Sequence, residues 1–282
     1  MSKFSKCQQK IADFIINNYD KVAFMTASRL GATIGVSEST VVRFATKIGF
    51  NGYPELQHAL REVIQNKLTT VQRIEVTNDQ IGNEDDLLER VLNLDIDKIR
   101  KTLDKISRSD FKYAVDLIVK SRKIYIIGTR SAASIANFMS FYFTLIFQNI
   151  QVIYTTSKSE MFEKIFNIQD GDVLIGISFP RYSSNTVQAF QYAHRNNAKT
   201  IAITDSFSSP LIKYADSVLL AQSDMISFID GLVAPLSLVN ALIIAVGLKK
   251  KAKISEIFQK LEYIWEEYRV YENFKVKRKS ND

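Results

Sequence analysis

The sequence predicts an α and α/β protein, in which an all-helical N-terminal part precedes a parallel β-sheet that helices cover on both faces. Three observations predict this. The 282 residues suggest two domains, at roughly 100–200 residues per domain. Apolar residues recur at helical spacing as far as about Ser121, and nothing in that half alternates as a strand does. From Lys123 onwards, short runs rich in Val and Ile alternate with helical patterns, which is typical of a buried parallel sheet.

The first part of the chain contains four predicted helices. The first includes residues 9–19, the second covers about residues 26–34, and the third runs from Ser37 to about Lys47. Two glycines and a proline in residues 49–54 break the third helix, and a further helix starts at Pro54, where proline suits a first turn. Helices then dominate, apart from a polar, acidic stretch at residues 77–86 that is predicted to be a hinge or linker.

The second part contains five predicted strands, which are short apolar runs at residues 123–128, 149–154, 172–178, 199–205 and 217–221. Ligands of such sheets bind beyond the carboxyl ends of the strands. The loops at residues 128–134, 178–186 and 204–210 are therefore the places where a ligand is expected.

Two further helices follow the last strand. Residues 231–248 carry no charge, and the length of this segment is at the lower limit for a membrane span. The segment also includes Pro235, Ser237 and Asn240, which are unusual in such a span. We therefore predict a buried helix and no membrane partner. From Ile254 to Tyr271, apolar residues recur at steps of three and four, which predicts an amphipathic helix. It packs on its own domain or, alternatively, forms a subunit interface.

The charge and the cysteine count limit the function classes. The chain carries 37 Lys and Arg against 30 Asp and Glu, a net charge of +7. The excess lies at the ends, with +4 in residues 1–75, +4 in residues 249–282 and −1 between them. This favours an anionic partner at the ends, although a solvated basic surface is the alternative. The single cysteine, Cys7, excludes an intrachain disulfide, and only two histidines are present. We therefore predict no metal, no cofactor and a reducing, cytoplasmic location.

Residues 26–45 carry the requirements of two helices that meet at a steep angle. Gly31 is small enough for a helix crossing, Gly35 tolerates the positive φ of a turn, and Ser37 suits the N-cap of the second helix. The second helix would present its N-terminal end to the major groove of DNA. The residues predicted to contact double-stranded DNA are Ser37, Glu38, Ser39, Thr40, Arg43 and Lys47. The alternative is a helical hairpin that touches no nucleic acid.

The run Val-Ser-x-x-Thr-Val-x-Arg-Phe at residues 36–44, followed by Gly-Phe-x-Gly-Tyr at residues 49–53, resembles the helix-turn-helix domain of RpiR-family bacterial transcriptional regulators. Gly31 departs from the alanine that is usual there, which weakens its helix by up to about 1 kcal/mol. The resemblance implies a helical linker and then a SIS (sugar isomerase) domain, a five-stranded parallel αβα sandwich that binds phosphosugars. The domains expected are the helix-turn-helix domain at residues 1–76, a linker at 77–110, the SIS domain at 111–250, and an amphipathic helix with a basic tail at 251–282.

The resemblance also implies where the ligand lies. The first strand of a SIS domain usually ends in Gly-x-Gly-x-Ser, and the third in Ser-x-Ser-Gly-x-Thr. Here Arg130 and Arg181 replace one glycine in each loop. Two guanidinium groups favour a small anionic ligand. A phosphosugar is the first candidate, and a carboxylate or another phosphorylated metabolite is the alternative. Alternatively, the arginines pair with Asp205 or Asp230, or lie in a subunit interface. The residues predicted to bind the ligand are Gly128, Thr129, Arg130, Ser131, Ser178, Arg181, Ser183, Thr186 and Asp205.

These observations favour a transcriptional regulator that binds DNA as a homodimer or homotetramer assembled through its SIS domains. The enzyme alternative is a sugar-phosphate isomerase, which needs a Glu or His base at the pocket. His194 lies in a helix away from the pocket loops, which contain no Glu, although Glu160 and Glu163 precede the third strand. We therefore predict no catalytic residue. A third alternative is an adaptor that binds no DNA.

Overall fold

The computed structural model describes residues 4–65, 86–225 and 229–271. The chain forms two compact units that divide between Leu94 and Asp95. The N-terminal unit also takes in the short segments Pro180–Tyr182 and Asp224–Asp230, and the remaining residues form the sheet unit. The predicted linker at residues 77–86 lies almost wholly outside the described residues, and the predicted domain boundaries stay a prediction.

The N-terminal unit is helical, as the spacing of its apolar residues predicts. Its helices are α1 (Lys6–Asn17), α2 (Tyr19–Val22), α3 (Ala27–Ile34), α4 (Glu38–Lys47) and α5 (Tyr53–Gln65). They enclose a small core in which Ile11, Leu30, Val41 and Phe44 are at most 3% exposed. The single cysteine of the chain, Cys7, is exposed on α1.

The sheet unit begins within a helix that starts in the N-terminal unit, α6 (Leu87–Lys105), and continues with α7 (Arg108–Lys120). Its strands are β1 (Ile124–Gly128), β2 (Ile150–Ile153), β3 (Val173–Ile177), β4 (Lys199–Thr204) and β5 (Ser217–Leu220). Between them lie α8 (Ala132–Ile146), α9 (Lys158–Ile165) and α10 (Ser184–Arg195), and after them α11 (Val233–Lys249) and α12 (Lys251–Glu267). All strands pair in parallel in the order β2-β1-β3-β4-β5, so the predicted parallel sheet is confirmed.

Helices cover both faces of this sheet because side chains alternate along each strand. Ile124 and Ile126 of β1 pack with α7, α8 and α11, whereas Tyr125 and Ile127 pack with α9 and α10 on the other face. One connection differs from the helical pattern expected between strands, since β4 leads to β5 through turns and the short 3₁₀ helix Ile212–Tyr214.

The uncharged stretch near residue 240 forms α11, which buries Ala234, Leu238, Leu242 and Val246 against the domain core. In the described part of the chain, no single helix is long and apolar enough to cross a membrane. Helices α11 and α12 reach that length and composition only together, and they meet at a bend of 97°.

Candidate functional sites

The first candidate site is built on the crossing of α3 and α4. Thr26 caps α3 by accepting from the Arg29 N–H at 3.1 Å, and Gly35 ends it with a φ of 74°. A Cβ atom on Gly31 would lie 2.7 Å from the Val36 carbonyl oxygen, so glycine allows the turn to pass against α3. Gly31 was predicted to be small enough for the helix crossing, and in the structure the Val36 carbonyl oxygen is the atom that approaches it most closely.

The N-terminal end of α4 presents a polar surface. Ser37 caps the helix, and its Oγ accepts from the Thr40 N–H at 3.3 Å. The same Oγ lies 2.7 Å from Thr40 Oγ1 and 3.0 Å from Ser39 Oγ. Ser37, Glu38 and Ser39 are exposed and Thr40 is half-buried. Four predicted DNA contacts therefore lie together, with the Ser37 hydroxyl also needed for capping.

The two basic residues predicted to contact DNA are also exposed on α4. Arg43 folds along its own helix, with Nε donating to the Ser39 carbonyl oxygen at 3.1 Å and Nη2 to Ser39 Oγ at 3.3 Å. Lys47 reaches α1, where Nζ donates to Gln8 Oε1 at 3.0 Å and lies 5.7 Å from the centre of the Phe4 ring. Helix α1 thus braces the C-terminal end of α4.

The second candidate site lies at the carboxyl ends of the strands. After β1, a Cβ atom on Gly128 would lie 2.6 Å from the Ala132 carbonyl oxygen, so this glycine lets α8 start close to the strand. Thr129 is 8% exposed, while Arg130 is exposed. Ser131 stands at the start of α8 without a side-chain capping bond. In this loop the guanidinium group, rather than the glycine, reaches the surface.

After β3, the predicted hydroxyl groups form a chain. Ser178 is 3% exposed, and its Oγ accepts from the Ser183 N–H at 3.1 Å. Ser183 caps α10, with its Oγ accepting from the Thr186 N–H at 3.4 Å. Thr186 is fully buried, and its Oγ1 has no hydrogen-bond partner among the described residues. A buried hydroxyl without a partner costs roughly 1–3 kcal/mol, so this atom is a candidate for a contact outside the protein chain.

The two arginines share an unusual backbone conformation. Arg130 has a φ of 56° and Arg181 a φ of 37°, in the left-handed region that favours glycine. Both side chains are exposed, and between described residues neither forms an ion pair. The alternative that they pair with Asp205 or Asp230 stays a prediction. Asp205 is half-buried and accepts from Thr204 Oγ1 at 3.3 Å.

A group that sequence reasoning missed lies beyond the carboxyl end of β5. The Gln222 N–H donates to Thr102 Oγ1 of α6 at 2.9 Å, and the 5%-exposed Ser223 has no partner for its Oγ among the described residues. Lys98, one helical turn before Thr102, is only 6% exposed and bonds Asp95 at 3.1 Å. The signal in the sequence is a lysine and a threonine four residues apart on one face of a helix.

Glu160 and Glu163 lie on α9 and are both exposed. The hydrogen bond from Thr155 and the neighbouring Lys164 lower the pKa of the Glu160 carboxyl, although burial opposes them. His194 is exposed in the last turn of α10. Across residues 4–65, 86–225 and 229–271, no group of three or more His, Cys, Asp or Glu residues could hold a metal ion.

Comparisons with known proteins match both units. The helix-turn-helix domain of the rpiR family matches residues 1–67, and the SIS domain matches residues 117–245. An uncharacterized HTH-type transcriptional regulator of Haemophilus influenzae is 28% identical over 219 residues, covering 77% of this chain and 75% of the relative. The HTH-type transcriptional regulator HexR of Escherichia coli is 26% identical over 274 residues, covering 95% and 92%.

Among solved structures, the Vibrio vulnificus NanR protein complexed with ManNAc-6P has a TM-score of 0.60 at 19% identity, covering 97% of each chain. At that identity the likeness shows a common fold. The family models place a helix-turn-helix domain before a SIS domain, and the fold likeness extends over the same length of chain.

Proposed function

Because the chain belongs to the RpiR family of helix-turn-helix transcriptional regulators with a SIS domain, we propose that α4 reads its operator and that a phosphosugar in the SIS domain modulates operator binding. The proposed domains are a helix-turn-helix domain at residues 1–76, a linker at 77–110, a SIS domain at 111–250, and a helix with a basic tail at 251–282. Because the regulator binds DNA, its proposed site of action is the cytoplasm.

The exposed end of α4 supports the DNA contacts. Ser39 and Thr40 offer hydroxyl groups to phosphates or base edges, and Arg43 offers a guanidinium that suits guanine or phosphate. Their positions depend on the tight turn at Gly31 and Gly35, which sets the angle at which α4 leaves α3. Two copies on a pseudo-palindromic operator follow, since half-sites mirror the two-fold symmetry of the protein.

The observation that carries the ligand proposal is the unpartnered Thr186 hydroxyl at the start of α10. Thr186 comes shortly after the loop that holds Ser178 and Ser183. The N-terminus of α10 adds partial positive charge at this place. Arg130 and Arg181 supply exposed positive charge on the loops that follow β1 and β3. A phosphoryl group with hydroxyl-bearing carbons fits this combination of donors.

The proposed regulator is not an isomerase. A general base works best with a pKa near the operating pH, and the Thr155 hydrogen bond moves the pKa of Glu160 away from neutrality. His194 lies at the far end of α10 from the pocket loops. The proposal therefore assigns binding and signalling, without catalysis, to the SIS domain.

The DNA part is tested by fluorescence anisotropy with DNA from upstream of the gene. Arg43→Ala should weaken operator binding by about tenfold or more, since a good base contact is worth about 1–3 kcal/mol. Arg195→Ala, which removes an exposed arginine from the end of α10, is the matched control and should bind as the wild type does. Normal binding by Arg43→Ala would remove α4 as the reading helix.

The ligand part is tested by thermal shift with N-acetylmannosamine 6-phosphate, glucose 6-phosphate, the unphosphorylated sugars and a sugar acid. A ligand at 100 times its Kd stabilises the protein by about 2.7 kcal/mol. The shift should require the phosphate and vanish in Arg130→Ala and Arg181→Ala, but persist in Arg195→Ala. A shift from the sugar acid alone would replace the phosphosugar by a carboxylate, and persistence in both arginine variants would exclude them from the site.

A further inference from the structure

A polar cluster at the carboxyl end of β5 lies outside the loops that follow β1 and β3. Its members are the pair Asp95–Lys98 and Thr102 on α6, together with Ser223 on the segment after β5. Thr102 Oγ1 accepts from the Gln222 N–H at 2.9 Å, which joins this face of α6 to the end of the strand. Because residues four apart lie on one side of a helix, Lys98 shares the face that meets β5.

The cluster has more hydrogen-bond donors than the protein uses. Lys98 is 6% exposed, and among the described residues its ammonium group donates one bond, to Asp95 Oδ1 at 3.1 Å. An ammonium has three donors, so two stay unused. Ser223 is 5% exposed, and its Oγ has no partner in the described part of the chain. Buried polar groups normally have partners, so these donors point to a group outside the chain.

The charge of the cluster limits what that group can be. The Asp95 carboxylate already neutralises the Lys98 ammonium. A second carboxylate or a phosphoryl group would lie beside Asp95, and like charges repel most strongly where water is excluded. An uncharged oxygen that only accepts hydrogen bonds fits the unused donors of Lys98 and Ser223. Asp95 Oδ2 accepts no bond from the residues that the structure describes, and it can take a neighbouring N–H.

We propose that this cluster binds the amide of an acylamino group on the phosphosugar. The carbonyl oxygen accepts from Lys98 and Ser223, and the amide N–H donates to Asp95. The inference rests on the proposed function, since the phosphoryl group of the same molecule lies at the loops after β1 and β3. It adds a second subsite, which selects for the substituent on the sugar rather than for the phosphate.

The position of the cluster supports one ligand across both subsites. The ends of β3, β4 and β5 are level, because the Ser178 N–H donates to the Ile203 carbonyl oxygen at 3.1 Å and the Ala221 N–H to the Thr204 carbonyl oxygen at 2.8 Å. With β4 between them, β3 and β5 lie about 10 Å apart. A six-carbon sugar phosphate can extend over this distance from its phosphate to the substituent on carbon 2.

The test is isothermal titration calorimetry of the full-length protein with two matched pairs of ligands. N-acetylglucosamine 6-phosphate is compared with glucose 6-phosphate, and N-acetylmannosamine 6-phosphate with mannose 6-phosphate, so that each pair differs only in the group on carbon 2. In at least one pair the acylamino ligand should bind about tenfold more tightly or better, because hydrogen bonds to a charged group are stronger than neutral ones.

Ser223→Ala should reduce this preference by about threefold to tenfold. It should not lower the Tm, because the hydroxyl that it removes has no partner among the described residues. Ser217→Ala is the matched control, since it makes the same change at the amino end of the same strand. Ser217 Oγ donates to the Asp110 carbonyl oxygen at 3.0 Å, so the control should lower the Tm and keep the preference.

The double variant Asp95→Leu/Lys98→Met replaces the ion pair by apolar side chains, a change that buried pairs often tolerate. It should abolish the preference and leave the affinity for glucose 6-phosphate and mannose 6-phosphate unchanged. Asp97→Leu/Arg100→Met makes the matching change in an exposed pair at the same spacing on α6 and should bind as the wild type does. Far-UV circular dichroism establishes that the variants are folded, and Ser223→Ala decides if the double variant is not.

Two results would overturn the inference and leave the proposed function standing. One is equal binding of both ligands in each pair, and the other is a preference that survives in Ser223→Ala and in the folded double variant. If none of the four sugar phosphates binds, the proposed function fails and the inference fails with it.

Discussion

At the scale of single residues, the two arginines of the pocket loops combine charge with backbone strain. A residue other than glycine in the left-handed region costs roughly 1–2 kcal/mol, and both Arg130 and Arg181 occupy it. Such strain clusters at ligand sites, where the surrounding structure holds it in place. The resemblance to the SIS pattern implies that these arginines stand where glycines are usual. The backbone at both positions has the conformation that glycine favours.

Arg130→Gly should therefore raise the Tm by about 2 °C, the size expected for relief of a fraction of this strain, and weaken ligand binding in the same protein. Asn197→Gly is the control, because Asn197 has a φ of 59° in the turn between α10 and β4, at the opposite end of α10 from the pocket loops. It should raise the Tm slightly and leave ligand affinity unchanged. A lower Tm in Arg130→Gly would show that the guanidinium itself stabilises the loop.

Sequence reasoning reached the candidate residues but could not assign their surroundings. Ser183 and Thr186 were named from their place after β3, yet only the fold shows that one caps α10 and the other is buried without a partner. Lys98 was missed because a lysine on an amphipathic helix normally faces water, whereas this lysine is only 6% exposed.

At the scale of elements, β3 and α10 fit together through one glycine. A Cβ atom on Gly176 would overlap with Phe190 Cε2, and the Phe190 ring is fully buried. Gly176→Ala should lower the free energy of unfolding by about 1–3 kcal/mol through overpacking. It should also reduce the ligand response, because α10 carries Thr186. In urea denaturation, Gly176→Ala/Phe190→Leu should lose less than the sum of the single variants, and additive losses would contradict the contact.

The amino ends of β4 and β5 are joined by an ion pair, Lys199 with Asp216 at 2.8 Å. Burial raises the pKa of Asp216, but hydrogen bonds from Lys199 and Thr200 outweigh it, so the folded pKa lies below its ordinary value. The hydrogen bond to Asp216 raises the pKa of Lys199. The carboxylate thus stabilises the fold above its unfolded pKa, and this contribution is lost as the pH falls through the folded pKa.

Asp216→Asn should therefore be less stable than the wild type near neutral pH and show a smaller loss of stability below about pH 4, where an unperturbed Asp titrates. Thermal unfolding between pH 3 and 7 measures this. Asp104→Asn, which changes an exposed carboxylate on α6, is the matched control. An unchanged slope in Asp216→Asn would assign the acid sensitivity to other carboxylates.

The five strands were predictable as runs because apolar side chains on both faces leave a continuous signal. Their ends differ from prediction by at most one residue, as at β3, where Asp172 and Ser178 flank the paired segment. The connection without an α-helix between β4 and β5 was less visible, since 3₁₀ turns carry no long periodicity. The helix α12 was predictable as amphipathic, whereas its lack of buried residues depends on its neighbours.

At the scale of the whole molecule, the excess positive charge lies at the two ends of the chain. The +4 of residues 1–75 belongs to the region of the α3–α4 motif, where DNA phosphates are expected. The +4 of residues 249–282 begins with the lysines before and in the first turn of α12. Salt should therefore weaken operator binding through the first of these two regions.

The single thiol on α1, that of Cys7, allows distances between two copies of the regulator to be measured by spectroscopy. Because Cys7 is exposed and is the only cysteine of the chain, a nitroxide attaches at one defined position without removing another cysteine. Two labelled copies on half-sites about 34 Å apart should give one narrow electron–electron distance in pulsed dipolar spectroscopy. Inserting base pairs between the half-sites should lengthen the distance between the labels. A ligand that releases the protein from DNA should abolish this distance, so the distance reports whether the operator is occupied.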